Sequence, residues 1–289
     1  MYEEFCLDAD LGEPVRLAMA HAPKDAPLLA RARDAVECKN QEAFQEACKE
    51  GMDRHGALFP LVALAECYPL TKQYYPDTQV RRATLGDIAI WVRHYAQKTG
   101  GIGVEHYRWL SHHACGTLVR LGRLQYEEAK FPFSVTIVRT QEGRTLVGSG
   151  EEGVVVLEKG MPCLFVHIPE GSPLDVHAVD DSLVQARDWF PDYPVAVCVS
   201  WLLDPALSQV LPPDARIIRF QKRFTPFPVP EQGEPQIFER VFGFGITKAE
   251  VRTYQAVTSL QKRVQEALAQ GVGFHTSGGF LVLSDEGMI

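Results

Sequence analysis

His167 closes an apolar run, Cys163-Leu164-Phe165-Val166, and is followed by the loop-forming Pro169-Glu170-Gly171. An imidazole at the end of a buried strand can serve as a general base near neutral pH. It can equally be a histidine satisfied by a loop carbonyl. A second polar set lies in Arg120-Leu-Gly-Arg-Leu-Gln-Tyr-Glu127. Residues two apart on a strand share a face, so one strand over 118–127 would align Arg123, Gln125 and Glu127. That row reads either as the wall of a cleft, with Glu127 a second candidate base, or as a solvated sheet face. Arg219, Gln221 and Arg223 form a similar row opposite Ile218, Phe220 and Phe224. It suits phosphate binding or the blocking of a sheet edge.

Other groupings carry less chemistry. His112, His113 and Cys115, with His106 nearby, suggest a metal. Adjacent helical residues point about 100° apart, however, and no second spaced ligand pair closes a tetrahedral site, so no metal is expected. Gly148-Ser-Gly-Glu-Glu-Gly153 spells a dinucleotide-loop motif but leads into Val154-Val155-Val156, a strand, where the motif needs a helix. It reads as a turn. There is no Gly-x-Ser-x-Gly elbow, phosphate-binding P-loop or His-Glu-x-x-His.

The elements that must position these residues change character near residue 116. Residues 28–116 are helical in period, with a break at Lys39-Asn40. Pro60 sits in the first turn of a helix over 58–68. Leu85, Ile88, Ala89, Val92, Tyr95 and Ala96 make one face of a helix over 85–98, with Thr84 and Asp87 as its capping pair and Gly100 as its stop. A further helix is expected over 104–114. Beyond Gly116, short β-rich runs at 118–127, 134–140, 145–147 and 154–157 read as a strand meander. Two unbroken apolar runs, 163–168 and 195–203, flank a stripe of Val179, Leu183, Ala186 and Phe190. Two buried strands around one amphipathic helix make a parallel βαβ crossover. Asp204-Pro205 opens a short helix to about Val210, 216–224 reads as a strand, and 225–236 is irregular because of its prolines. Thr247 and Glu250 form a capping box for a helix ending at Gly271, and 273–283 supplies a last strand or hairpin.

Composition narrows the function. A net charge of -8 disfavours nucleic acid, whose binding needs a basic surface. No apolar run approaches the ~18 residues of a membrane span, so no membrane partner is expected. The acidic start, Met1 to Cys6, lacks the plan of a signal peptide. The seven cysteines include no Cys-x-x-Cys pair, and Cys163 and Cys198 lie in apolar runs. A cytoplasmic location is expected.

Several stretches carry a family resemblance: residues 120–127, His167-Ile-Pro-Glu-Gly171 with Asp181-Ser182-Leu183, and Cys198-Val-Ser-Trp-Leu-Leu-Asp-Pro205. Arg219-Phe-Gln-Lys-Arg-Phe224 and Thr258-Ser-Leu-Gln261 extend it. Together they resemble a bacterial family of acyltransferases with a helical N-terminal domain and a GNAT-like C-terminal domain. The resemblance implies an α/β (α+β) chain, with a helical domain over 1–116 and a GNAT-like mixed sheet with a central parallel βαβ over 117–289. It also implies acyl transfer from acetyl-CoA or another acyl-CoA to an amine or hydroxyl of a small-molecule acceptor. The pantetheine would lie between strands 163–168 and 195–203, with Arg123, Gln125, Ser200 and Trp201 on the cofactor and His167 or Glu127 as base. The chain departs from the GNAT pattern at two points. No Arg/Gln-x-x-Gly-x-Gly/Ala loop precedes the helix at Val179, and no tyrosine follows the second strand. A non-catalytic binding protein on the same scaffold is the alternative.

Overall fold

The structure is a computed structural model that describes residues 5, 9–150, 152–230, 235–243 and 245–283. The acidic start apart from Phe5, Glu151 of the glycine run and residues 231–234 of the proline-rich stretch lie outside them. The chain separates into two compact units, Met1–Glu127 with Ile168–Glu170, and Glu128–His167 with Gly171–Ile289.

Among the described residues the first unit contains seven helices: α1 (Ala9–Ala20), α2 (Ala26–Glu37), α3 (Gln41–His55), α4 (Phe59–Tyr74), α5 (Thr78–Leu85), α6 (Asp87–Thr99) and α7 (Tyr107–Ala114). Their boundaries follow local chemistry. Asp25, Asn40 and Asp77 cap α2, α3 and α5 with side-chain oxygens, and Gly100 in the left-handed region ends α6. Lys39, with φ of 52°, makes the expected break between α2 and α3. The core holds Leu28, Phe44, Phe59, Leu64 and Ile88, all almost fully buried.

Thr84 and Asp87 do not cap α6. Its N-cap is Gly86, without a side-chain bond. Thr84 Oγ1 instead accepts from Arg120 N at 2.9 Å. Asp87 Oδ2 accepts from two indoles, Trp91 Nε1 at 3.1 Å and Trp109 Nε1 at 2.7 Å, with His113 Nε2 at 3.4 Å. The helix start needed no cap because α5 runs into it through one residue.

The expected single strand over 118–127 is a hairpin. β1 (Leu118–Leu121) turns through Gly122-Arg123 into β2 (Leu124–Lys130), in the antiparallel register Leu121↔Leu124 to Leu118↔Glu127. Gly122 has φ of +62°, the handedness that two-residue hairpin turns demand. Arg123 is therefore a turn residue, and only Gln125 and Glu127 share a strand face.

Gly116 joins α7 to β1 with φ of +68°, and a Cβ there would lie 2.4 Å from Tyr74 Cβ. Left-handed backbone costs a non-glycine residue about 1–2 kcal/mol, and forced overpacking adds about 1–3. Gly116→Ala should destabilise by about 2–5 kcal/mol in urea unfolding. Gly100→Ala, with similar φ but open space around it, should cost about 1 kcal/mol. Equal losses at the two positions would refute the packing account.

In the second unit, β3 (Ile137–Arg139), β4 (Thr145–Val147) and β5 (Val154–Leu157) make a small antiparallel sheet ordered β4-β3-β5. The glycine run joins β4 to β5 as a turn, where Ser149 N donates to Glu152 Oε2 at 2.5 Å. The larger sheet contains β6 (Pro162–His167), and α8 (Val176–Trp189) leads from it to β7 (Val195–Ser200), which is parallel to β6. The crossover read from the two apolar runs is present, with Val179, Leu183, Ala186 and Phe190 all buried. A 3-10 turn (Trp201–Leu203), α9 (Leu207–Val210) and α10 (Arg216–Gln221) follow. Then come β8 (Thr225–Phe227), α11 (Gln236–Phe242), α12 (Lys248–Val251), α13 (Ser259–Ala269) and β9 (Ser277–Val282). β9 lies antiparallel between β7 and β8.

Two expectations are corrected here. Residues 216–221 are helix, not strand: β7 already pairs with β6 and β9, leaving it no open edge, and a short apolar run fits either period. The Thr247–Glu250 capping box opens only the four-residue α12, and a second box, Thr258 with Gln261, opens α13.

Candidate functional site

The sequence places the second unit's polar residues at the carboxyl ends of its two parallel strands. β6 and β7 are strands because their unbroken apolar runs are covered on both faces. Their pairing is short: Leu164↔Ala196 and Phe165↔Val197. β6 continues through Val166 to His167, and β7 continues to Ser200 while still paired to β9 as far as Ser200↔Ser277. The parallel ladder thus ends before either strand does. Ligands in open α/β sheets bind beyond such carboxyl ends.

His167 is half-buried at the end of β6, its ring stacked 6.3 Å from Phe165. Ser200 ends β7, and its Oγ accepts from Leu202 N at 3.2 Å, which starts the 3-10 turn. Trp201 packs partly buried against the cluster of Ile237, Phe238, Val264 and Phe274. Asp204, 2% exposed, accepts from Ala206 N at 2.9 Å and His275 N at 2.7 Å, tying the end of β7 to the approach to β9. Burial pushes the Cys198 thiol far up, as expected for a cysteine acting as a hydrophobe.

Asp175 caps α8, accepting from His177 N at 3.0 Å and Ala178 N at 3.2 Å. The Ala178 N–H leads in holding this carboxyl below its usual range, with help from His177 and Arg216. α10 brings cationic residues beside this end of α8. Arg223, just beyond α10, donates to Asp180 Oδ1 from Nη2 at 2.6 Å and from Nε at 3.0 Å, and to Val176 O at 3.3 Å. Arg216 and Arg219 are exposed on α10. The arginine row read on a strand is therefore a helical cluster next to a helix start.

Arg123, Gln125 and Glu127 belong to the first unit. Arg123 is 8% exposed and donates Nη1 to Pro169 O at 3.0 Å; burial, then Arg120, lowers its pKa. Gln125 is 1% exposed. Glu127 Oε1 lies 3.2 Å from His112 Nδ1, contributed by α7. That pairing has no signature in the residue spacing, in which His112 stands out only as a metal-type ligand. Among the described residues, no group of three or more His, Cys, Asp or Glu could hold a metal ion. No helix among them is long and apolar enough to cross a membrane.

A short parallel pair that ends before its strands do, linked by one helix and flanked by antiparallel strands, is the arrangement of GNAT-type acyltransferases. The model of the GNAT-like C-terminal domain family matches residues 118–281, and the chain belongs to that family. The N-acyltransferase N-terminal domain model matches residues 3–116. No curated protein matches. Among solved structures, an acyltransferase variant, orf11*, in complex with octanoyl-CoA is 25% identical. The similarity covers 98% of this chain and 86% of that one, with a TM-score of 0.72. The same identity, coverage and TM-score hold for an acyltransferase in complex with CoA and 10C-teicoplanin, and for one with decanoyl-CoA and teicoplanin.

Proposed function

We propose that this protein transfers an acyl group from acyl-CoA to an amine or hydroxyl of a small acceptor. The observation that carries this reading is the early end of the β6–β7 ladder, which leaves room for pantetheine between strands that are otherwise buried. The solved acyltransferases with octanoyl-CoA or decanoyl-CoA support a medium-chain donor, and those with teicoplanin support a small acceptor. The acceptor's nitrogen or oxygen attacks the thioester carbon, the carbon–sulfur bond breaks, and coenzyme A leaves as the thiolate. Backbone N–H groups at the ends of β6 and β7 would hold the oxyanion. His167, Ser200 and Trp201 stand at those ends. Two domains, 1–116 and 117–289, form part of the same proposal, supported by family matches that end at 116 and begin at 118.

The fit to coenzyme A is uneven along its length. The strand ends suit pantetheine, but Asp175 occupies the first-turn amides of α8 that would otherwise meet a pyrophosphate. This favours a second reading, a binding protein without turnover. A thermal-shift series with decanoyl-, octanoyl- and free CoA tests the first step. At 100 times its dissociation constant a ligand stabilises by about 2.7 kcal/mol, worth several degrees of melting temperature. No shift with any of the three would remove the acyl-CoA reading. Binding without thiol release, across amine and alcohol acceptors, would favour the non-catalytic one.

A further inference from the structure

The two faces of the β6–β7 pair end differently. Alternate residues share a face and register partners stand on the same one, so Cys163 and Phe165 lie with Val195, Val197 and Val199. The opposite face carries Leu164, Val166, Ala196, Cys198 and Ser200, which stay buried to the last position. On the first face burial gives out at the carboxyl ends. Cys163, Val195 and Val197 are buried, whereas Phe165 and Val199 are only half-buried. Val199 pairs with Gly278 of β9, which has no side chain to cover it, and Gly278 pairs in turn with Phe227 of β8. A Cβ at Gly278 would lie 2.6 Å from both Phe227 Cε2 and Val229 Cγ1, so those side chains lean over the glycine and wall the space beside Val199. Phe133 packs on the same cluster, its ring 5.4 Å from that of Phe227, and it too is half-buried. All of these residues belong to the second unit. They make an apolar strip, partly open to solvent, on one face of the sheet where the parallel ladder stops.

We infer that the acyl chain of the donor lies along this strip, over Phe165 and Val199 and against Phe227 and Phe133, so that the protein selects medium-chain acyl-CoA over acetyl-CoA. The inference rests on the acyl-CoA reading above, which sets the thioester at the end of the ladder. Of the parts of an acyl-CoA, only the acyl chain suits such a surface. The pantetheine arm carries amides that need hydrogen-bond partners, whereas a saturated chain gains only by covering apolar surface. An acetyl group ends before it can cover any of the strip. Each methylene fully buried contributes about fourfold in affinity, so a longer chain gains even if less than half of it is covered. Val199 is the specificity-determining residue, because it floors the strip at the point where β9 offers only glycine beside it.

Calorimetry with acetyl-, butanoyl-, octanoyl- and decanoyl-CoA tests the placement. Wild-type affinity should climb with chain length, by about a hundredfold or more from acetyl to decanoyl. Val199→Phe sets a ring where the chain would lie. It should cost decanoyl-CoA about tenfold or more and leave acetyl-CoA within about twofold. Val199→Thr keeps the shape of valine and decides the matter if the larger ring disturbs folding. Its hydroxyl beneath the chain should lower decanoyl affinity about fivefold, with acetyl affinity again held. Equal affinity of the wild-type protein for acetyl- and decanoyl-CoA overturns the inference. So does Val199→Thr protein whose decanoyl affinity is unchanged, or whose acetyl and decanoyl affinities fall together. If the wild-type protein binds none of the four thioesters, the acyl-CoA reading itself falls. Binding of all four without dependence on length leaves that reading standing and removes only this placement of the chain.

Discussion

Asp87→Ala is expected to destabilise the protein by about 3–5 kcal/mol, the cost of removing one partner from a buried charged network. The carboxylate is 3% exposed and is the common acceptor of the Trp91 and Trp109 indoles, with His113, 0% exposed, beside it. His113 Nδ1 is held in turn by Trp109 O at 3.1 Å. Removing the carboxylate leaves two indole N–H groups and an imidazole facing an apolar side chain. Asp87→Asn keeps one acceptor oxygen and should cost less, about 2 kcal/mol. The pH dependence has a definite sign. Burial alone would raise the Asp87 pKa, but His113 and the two indole donors outweigh it and bring the carboxyl down to about 2. A depressed carboxylate contributes stability above its unfolded pKa, and the contribution fades as pH falls through the folded value. The gap between wild type and Asp87→Asn should therefore be full above about pH 4 and shrink toward pH 2. Urea unfolding followed by tryptophan fluorescence reads both effects. A cost under about 1 kcal/mol for Asp87→Ala, or a gap that does not change with pH, would show that the network is not coupled to folding.

That network also shows where sequence reading reaches its limit. Thr84 and Asp87 have the spacing of a capping pair, and local spacing was all the sequence offered. What decides Asp87's role is the approach of Trp109 and His113, more than twenty residues away in the chain. The parallel crossover was legible for the opposite reason. Its signal is local three times over: two unbroken apolar runs and one helical stripe, each sufficient to name its element. The hairpin failed on one dihedral angle. Gly122 lies within the run expected as one strand, whereas its positive φ makes a turn, and that moves Arg123 off the face of Gln125 and Glu127. The segment 216–221 failed on competition for a sheet edge, which no short window of sequence contains.

The candidate site was legible in the same uneven way. The placement of His167 was legible because it ends a strand whose character is plain. Glu127 was found as a carboxylate, but its partner His112 was not, because a histidine on one element and a glutamate on another show no periodicity in common. Arg219 and Arg223 near α8 were noted and given the wrong geometry, and Arg216 was missed. Once they are helical, Arg216 and Arg219 stand three residues apart on one short helix, with Arg223 fixed to Asp180 beyond them.

Reversing the first two of those arginines should weaken acyl-CoA binding about a hundredfold. Coenzyme A carries its negative charge on a pyrophosphate and a ribose phosphate, and a GNAT fold usually meets the pyrophosphate with amides at the start of the helix after the first parallel strand. Asp175 takes two such amides in α8, so positive charge must come from a neighbouring element if the donor is to be held. Arg216 and Arg219 are exposed, and Arg216 already acts on Asp175 across the gap between α10 and α8. A charge-assisted hydrogen bond to a phosphate contributes about 1.5–3 kcal/mol, and each 1.4 kcal/mol is a factor of ten in affinity. The double variant Arg216→Glu with Arg219→Glu should lose about two such factors for decanoyl-CoA by calorimetry. Exposed substitutions away from packed features usually change stability by no more than about 0.5 kcal/mol, so its melting temperature should stay close to wild type. Salt supplies a second reading: wild-type affinity should fall as ionic strength rises, and the variant's should fall less. Asp175→Asn keeps a capping oxygen and removes a negative charge, so it should tighten binding. Unchanged affinity in the double variant would mean that the phosphates lie elsewhere, and that the cationic side of α10 serves only to hold α8 in place through Arg223.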